Sequence, residues 1–254
     1  MKRLPVLILA GSRLGENDVL AKAGNVQHKA LLPVAGTPML KRVYQAILNA
    51  DIASNIYIAS ENEAYFKDLN LEKAHYLSSR PTLPETIQEA IKKIGFPCLI
   101  LTADHALLQP EWLQEFLNLS EKSSADVTFG IALKEKVEAL SLKMSRTYIP
   151  LKDIQFSGCN LFFLRNESSE NLIQLWQKIH HLRKSPAKMV KILGLKTLFK
   201  ALFRRLDSIT LLERVKMITS STLEFIPLSN GMAAIDVDSI KDWELVESIY
   251  AKEK

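Results

Sequence analysis

Cysteine is almost missing from this chain. The two that occur, Cys98 and Cys159, lie far apart without a CxxC spacing, which excludes a disulfide framework and a thiolate zinc site. Glycine is sparse as well. Gly11 is followed by Ser12, Arg13, Leu14 and Gly15, which breaks the GxGxxG pattern of a dinucleotide fold, and Gly24 to Ala30 do not supply the GxxxxGK stretch of a P-loop. No apolar run is long enough to cross a bilayer. The short stretch Leu4 to Ala10, behind Lys2 and Arg3, contains Pro5 and leads straight into Gly11, so it departs from a signal peptide and the expected compartment is the cytoplasm.

Apolar residues are plentiful, 47% of 254, enough to fill the core of a large α/β domain. The expected organisation is a single domain over residues 1–254 with a basic helical insertion at about 169–218. The formal charge is +5, but between Lys178 and Lys216 eleven Lys and Arg residues meet only Asp207 and Glu213. Basicity is therefore local, the rest of the chain is net acidic, and no nucleic-acid partner is expected.

Strand-like and helix-like segments alternate, the pattern of a mostly parallel sheet covered by helices. VLILAG from Val6, NIYIAS from Asn55, HYLSS from His75, CLILTAD from Cys98 and DVTFGIAL from Asp126 predict strands. Met39 to Asn49, Glu61 to Leu69, Glu85 to Ile94 and Glu111 to Leu119 predict helices between them. Two further strands are expected at Lys143 to Pro150 and Gln155 to Leu164, then a helix over Ser169 to Arg183 and another from Pro186. Leu195, Leu198, Phe199, Leu202, Leu206 and Ile209 recur at helical spacing through Leu195 to Met217. The chain closes with strand-like LEFIPL from Leu223, strand-like AAIDV from Ala233, and a helix that Ser239 can cap.

Chemistry concentrates in a few strings. LILAGSR, Leu7 to Arg13, reads as a buried strand ending in a turn whose N–H groups can face an anion. HKALLPVAGTPML, His28 to Leu40, puts Lys29 ahead of an apolar stretch, a Gly36 turn and Pro38 at a helix start. Asp104 closes another buried strand, where open α/β sheets place their ligands; it either ligates Mg²⁺ or caps the next turn. Asp236 and Asp238 follow an apolar run, and strand alternation would point both to one face, where either completes a metal site or serves the next helix as a cap. His105 either touches substrate or metal or is a turn residue, and Cys159 reads as a small buried hydrophobe.

Together these strings resemble the MobA-like NTP-transferase family, and the resemblance runs along nearly the whole chain. It implies a three-layer α/β/α Rossmann-like mixed sheet of the nucleotide-diphospho-sugar transferase type, with a helical insertion in the C-terminal half. It implies transfer from a nucleoside triphosphate to a phosphorylated sugar, polyol or lipid-precursor phosphate, with pyrophosphate released and Mg²⁺ or Mn²⁺ as cofactor. By position, Leu9, Ala10, Gly11, Ser12, Arg13 and Lys29 match the nucleotide-holding loop and lysine, and Arg80 and Thr86 lie where the family reads base or ribose. Gly158 and Asn160 match the acceptor-lining element, and Asp104, Asp236 and Asp238 match the metal-holding acids, with Arg13, Lys29 and Asp104 as catalytic residues. One departure stands out: Ser12 and Arg13 follow Gly11 at once, without the family's second glycine and spacer.

Rival readings are a molybdenum cofactor guanylyltransferase, a glycosyltransferase, and a nucleotide-binding regulatory protein without chemistry. Asp104-His105-Ala106 lacks the second aspartate of a glycosyltransferase DxD motif. Lys196, Lys200 and Arg204 fall at i,i+4 steps, and like charges so spaced repel unless something anionic faces them. The basic helices read either as a peripheral contact with the anionic inner face of the membrane or as a lid whose apolar stripe packs on the sheet.

Overall fold

The computed structural model describes residues 2–12, 17–142, 146–182, 192 and 194–252. Its strands are β1 (Leu4–Leu9), β2 (Pro33–Val34), β3 (Thr37–Pro38), β4 (Ala53–Ser60), β5 (Ala74–Ser78), β6 (Cys98–Thr102), β7 (Val127–Leu133), β8 (Ile149–Pro150), β9 (Gln155–Leu164) and β10 (Leu223–Pro227). Its α-helices are α1 (Val19–Ala23), α2 (Met39–Ala50), α3 (Leu83–Ile94), α4 (Pro110–Lys122), α5 (Lys134–Glu138), α6 (Ser169–Leu182), α7 (Leu195–Leu202), α8 (Ser208–Thr219) and α9 (Ile240–Lys252).

The main sheet runs β10-β7-β9-β6-β1-β4-β5, with β8 added beside β9. It is mixed: β9 lies antiparallel to β6 and β7, whereas β1 pairs parallel with β4 and β6. Strands buried on both faces read as unbroken apolar runs, which is why β1 and β6 were legible. Val6, Ile8, Leu99 and Leu101 point into a core with α2 and α4. Leu7, Leu9, Cys98 and Ile100 point the other way, into a core with α3 and α6. Two helical layers thus sandwich the sheet, as expected. Among the described residues no helix is long and apolar enough to cross a membrane.

Several expectations need correction. Glu61 to Leu69 contains a 3₁₀ helix over Glu63–Leu69, begun by the Asn62 side chain accepting from Ala64 N–H. Lys143 to Pro150 yields only β8, with 143–145 outside the described residues. The helix expected from Pro186 also begins outside them. α5 was not anticipated. The expected strand from Ala233 is instead a 3₁₀ turn over Gly231–Ala234. Gly231 is pressed so close to α5 that a Cβ there would lie 2.4 Å from the Lys136 carbonyl oxygen. Leu195 to Met217, helical by its spacing, holds two helices: Arg204 adopts a left-handed φ of 53°, Leu206 is buried, and α8 starts afresh at Asp207, whose carboxylate accepts from Thr210 N–H. Lys200 and Arg204 therefore do not share one helix.

Candidate functional site

The C-terminal ends of three central strands stand level, because Leu9 pairs with both Ala59 and Thr102. Beyond this rim the chain leaves β1 at Gly11 and Ser12, leaves β4 at Glu61, and leaves β6 at Asp104. A backbone hydrogen bond from Val237 N–H to the Asp104 carbonyl, 3.0 Å, ties the late acidic segment to the same rim.

Lys29 occupies the centre. It begins a 3₁₀ turn over Lys29–Leu31, capped by the His28 ring, which accepts from Ala30 N–H. Buried Leu32 anchors the following chain, and α9 clamps the β2–β3 hairpin through Trp243 Nε1 to the Pro33 carbonyl and Glu247 to Ala35 N–H. The Lys29 ammonium donates to Asp104 at 3.0 Å and to Asp238 at 2.9 Å. Burial works to lower its pKa, but the two carboxylates outweigh burial and hold it well above the ordinary lysine value. Burial likewise works to raise Asp104. The Lys29 charge and the Thr102 hydroxyl, 2.5 Å from the carboxylate, overcome it and hold Asp104 below the usual range.

The opening turn already faces an anion. Ser12 N–H points at both Glu61 carboxylate oxygens, at 3.3 and 3.2 Å, and the Ser12 hydroxyl donates to Asp18 at 3.2 Å. Because His28 Nδ1 accepts from Ala30, its Nε2 carries the proton that meets Glu61 at 3.1 Å. Burial pushes Glu61 up, yet the His28 hydrogen bond and the Ser12 N–H bring it below its ordinary value. Sequence reasoning missed Glu61 and the buried His28; no motif marks them. Arg13 lies outside the described residues.

A second acidic group sits beside the first. Asp236 accepts from Arg146 at 2.5 Å and from the Asn160 amide at 2.8 Å, while Arg146 also donates to the Ala234 carbonyl. Asn160 holds a left-handed φ of 53° near the irregular pairing between β9 and β7, a conformation asparagine tolerates. Burial raises the Asp236 pKa, and the charges of Asp104 and Asp238 raise it further against the opposing Arg146. Arg146 was also missed, because it fell inside a segment read as a strand. Asp236 and Asp238 thus reach the rim from an irregular segment, each with its own cationic partner, and not by strand alternation.

Asp104, Asp236 and Asp238 offer only oxygen, the donor type a hard divalent cation takes, and burial first, then the neighbouring carboxylates, leaves Asp236 reluctant to ionise. Among the described residues no three His, Cys, Asp or Glu side chains converge as a group that could hold a metal, and Lys29 pairs with both Asp104 and Asp238.

The remaining expected residues divide. Leu9 and Ala10 are buried, and their backbone joins the sheet through Ala103 N–H to the Leu9 carbonyl and Ala10 N–H to the Ala59 carbonyl. Thr86 is buried, accepts from Arg80 N–H at 2.8 Å and donates to the Thr82 carbonyl at 3.0 Å, so its hydroxyl shapes the loop that presents Arg80. Exposed Arg80 lies 3.6 Å from Glu89. Gly158 is crowded, for a Cβ would come 2.7 Å from the Phe129 ring. Cys159 is buried, as expected of a small hydrophobe. His105 is buried against Trp112, and burial pushes its pKa down to about 4.

Comparison with known proteins adds three observations. A family model described as the MobA-like NTP transferase domain matches residues 6–160, a shorter stretch than the resemblance read from the sequence. A search of curated protein sequences found no match. Among solved structures, a hypothetical transferase from Thermus thermophilus superposes with a TM-score of 0.80 at 27% identity, covering 95% of this chain and 99% of that one. A CMP:2-keto-3-deoxy-manno-octonic acid synthetase complexed with CTP gives 0.60 at 14%, covering 100% of each chain. The 2-C-methyl-D-erythritol 4-phosphate cytidylyltransferase from Thermus thermophilus gives 0.54 at 11%, covering 99% and 100%. The last two similarities establish the shared fold, including the part of this chain beyond residue 160.

Proposed function

The chain belongs to the MobA-like NTP transferase family, and from that premise we propose that it is a cytoplasmic nucleotidyltransferase joining a nucleoside triphosphate to a phosphorylated sugar, polyol or lipid precursor, with release of pyrophosphate. The observation that carries this reading is Lys29, held between Asp104 and Asp238 at the C-terminal rim of the sheet.

In such a reaction an acceptor phosphate oxygen attacks the α-phosphorus, a new P–O bond forms, and the bond to the β-phosphate oxygen breaks as pyrophosphate leaves with the electron pair. No protein nucleophile is needed; positioning and charge do the work. The Lys29 ammonium can exchange a carboxylate for a triphosphate oxygen, anion for anion. Arg13, next in sequence after Ser12, is the second cation this reading assigns to the triphosphate, and Gly11 and Ser12 offer N–H groups to phosphate. A divalent cation such as Mg²⁺ or Mn²⁺, held by Asp104 with Asp236 and Asp238, would polarise phosphate oxygens and offset their repulsion. Arg146 and Asn160 keep the Asp236 carboxylate aimed at the rim, and Asn160 with Gly158 borders the acceptor side. Arg80 reads the base or ribose from the loop that Thr86 holds.

A pyrophosphate-release assay with the four ribonucleoside triphosphates, Mg²⁺ and a panel of phosphorylated sugars and polyols tests this. CTP comes first, because two proteins of the same fold are a CTP-bound synthetase and a cytidylyltransferase. Acceptor-dependent release that Asp104→Asn lowers by ~10²–10³-fold is the expected result. Stabilisation by one nucleotide without turnover on any acceptor would assign a regulatory role instead, and GTP turnover only with the molybdenum cofactor precursor would assign guanylyl transfer.

A further inference from the structure

The tip where α7 turns into α8 is apolar and basic at once. Phe199, Leu202 and Phe203 are 59%, 77% and 54% exposed, and Ile209, in the first turn of α8, is 67% exposed. The first three form one patch, and Ile209 stands exposed on the helix that follows. Phe199, Leu202 and Phe203 fall at i, i+3 and i+4, the rings of Phe199 and Phe203 are 4.5 Å apart, and Lys200 reaches Thr210, the neighbour of Ile209, at 3.5 Å. Large aromatic and aliphatic side chains left in water at one site mark an interaction surface.

Its charge says which kind. Lys200, Arg204 and Arg205 are exposed around the apolar residues, and among the described residues none has a carboxylate within ion-pair distance. Of the nearby acids, Asp207 caps α8 through Thr210 and faces the Lys200 charge only from beyond ion-pair distance, and Asp153 accepts from the Ser208 N–H and hydroxyl. Among the described side chains of the apolar stripe expected to pack on the sheet as a lid, only Leu206 joins a buried cluster. A second copy of this chain is a poor occupant, because a two-fold pairing would bring the three cations of each patch together. An anionic bilayer suits both parts: aromatic and aliphatic side chains enter the interface while long basic side chains reach headgroup phosphates.

We propose that the α7–α8 tip docks the protein on an anionic membrane surface, with Phe199, Leu202, Phe203 and Ile209 entering the interface and Lys200, Arg204 and Arg205 on the phosphates. The proposal concerns where the protein works and stands apart from the catalytic reading, since the patch holds none of the residues assigned to the reaction.

Co-sedimentation of the full chain with vesicles of phosphatidylglycerol and phosphatidylcholine, against phosphatidylcholine alone, tests it. Binding should require the anionic lipid and weaken with salt. The triple variant Lys200→Glu/Arg204→Glu/Arg205→Glu should bind on the order of a hundredfold more weakly, at about fivefold for each basic residue removed. Phe199→Gln/Leu202→Gln/Phe203→Gln should also release the protein, with melting temperature kept because the side chains are exposed. A charge-matched control elsewhere, Lys67→Glu/Lys73→Glu/Lys93→Glu, should retain binding. The proposal is overturned if the wild-type chain ignores anionic vesicles at low salt, or if the apolar variant binds as tightly as wild type. It is equally overturned if sedimentation velocity without lipid finds a dimer that the apolar variant abolishes.

Discussion

Lys29 and Asp104, 75 residues apart in sequence, are joined at 3.0 Å by an ion pair whose ammonium also holds Asp238. A lysine that neutralises two acids at the rim of the sheet has a structural and a chemical consequence, and each can be measured.

Replacing Lys29 by Met leaves Asp104 and Asp238 without their shared cation. Pyrophosphate release should fall ~10²–10³-fold, the cost of one stabilising contact on a developing charge. In a double-mutant cycle with Asp104→Asn, the two losses should fall short of additive by about 0.5–3 kcal/mol, as groups in direct contact do. Additive losses would mean that the two side chains act independently.

Divalent cation and nucleotide should stabilise the chain together. Thermal unfolding with a nucleoside triphosphate should shift upward with Mg²⁺ or Mn²⁺ and return with EDTA, and Asp104→Asn should erase the difference between the two conditions. A shift of equal size with and without EDTA would remove the metal from the account.

Glu61 makes stability pH-dependent. Its pKa in the folded chain lies below the ordinary value, so its contribution is complete above about 4.3 and is lost as pH falls through the folded value. Glu61→Gln should therefore be less stable than wild type at neutral pH, with the gap closing as acid protonates the wild-type carboxylate. A gap that stays constant from neutral to acid pH would deny the carboxylate this role.

Gly231→Ala should be damaging although it is far from Lys29 in sequence. The added methyl would meet backbone of α5 at 2.4 Å, where no side-chain rotation relieves it. Overpacking of this kind costs about 1–3 kcal/mol. The turn it displaces leads into Asp236, so denaturant unfolding and pyrophosphate release should both report the change.

The sheet was legible because its central strands are buried on both faces and their residues announce it: Val6 to Leu9 and Cys98 to Leu101 are unbroken apolar runs. Lys29 and Asp104 were legible because each sits at a recognisable spot, one ahead of a glycine turn and the other at the end of a buried strand. Arg146 and Glu61 were not. Their importance comes from contacts with residues distant in the chain, Asp236 for one and Ser12 with His28 for the other, and no local pattern encodes such a meeting. The segment from Ala233 misled for a related reason. Its apolar run has the composition of a strand, but the close approach of Gly231 to α5 and the bond from Val237 to Asp104 place it in a turn at the site. In the basic stretch the helical periodicity continues past Arg204, where a left-handed backbone separates α7 from α8.

The most direct test is calorimetric titration of nucleoside triphosphates into the wild-type chain and the Lys29→Met variant, with Mg²⁺ present. The account predicts that one triphosphate binds the wild-type chain and that the variant binds it at least about tenfold more weakly, as expected for a lost charge-assisted contact worth ~1.5–3 kcal/mol. Equal affinity in the two proteins would contradict the assignment of Lys29 to the triphosphate, and with it the reading of this rim as a nucleotidyl-transfer site.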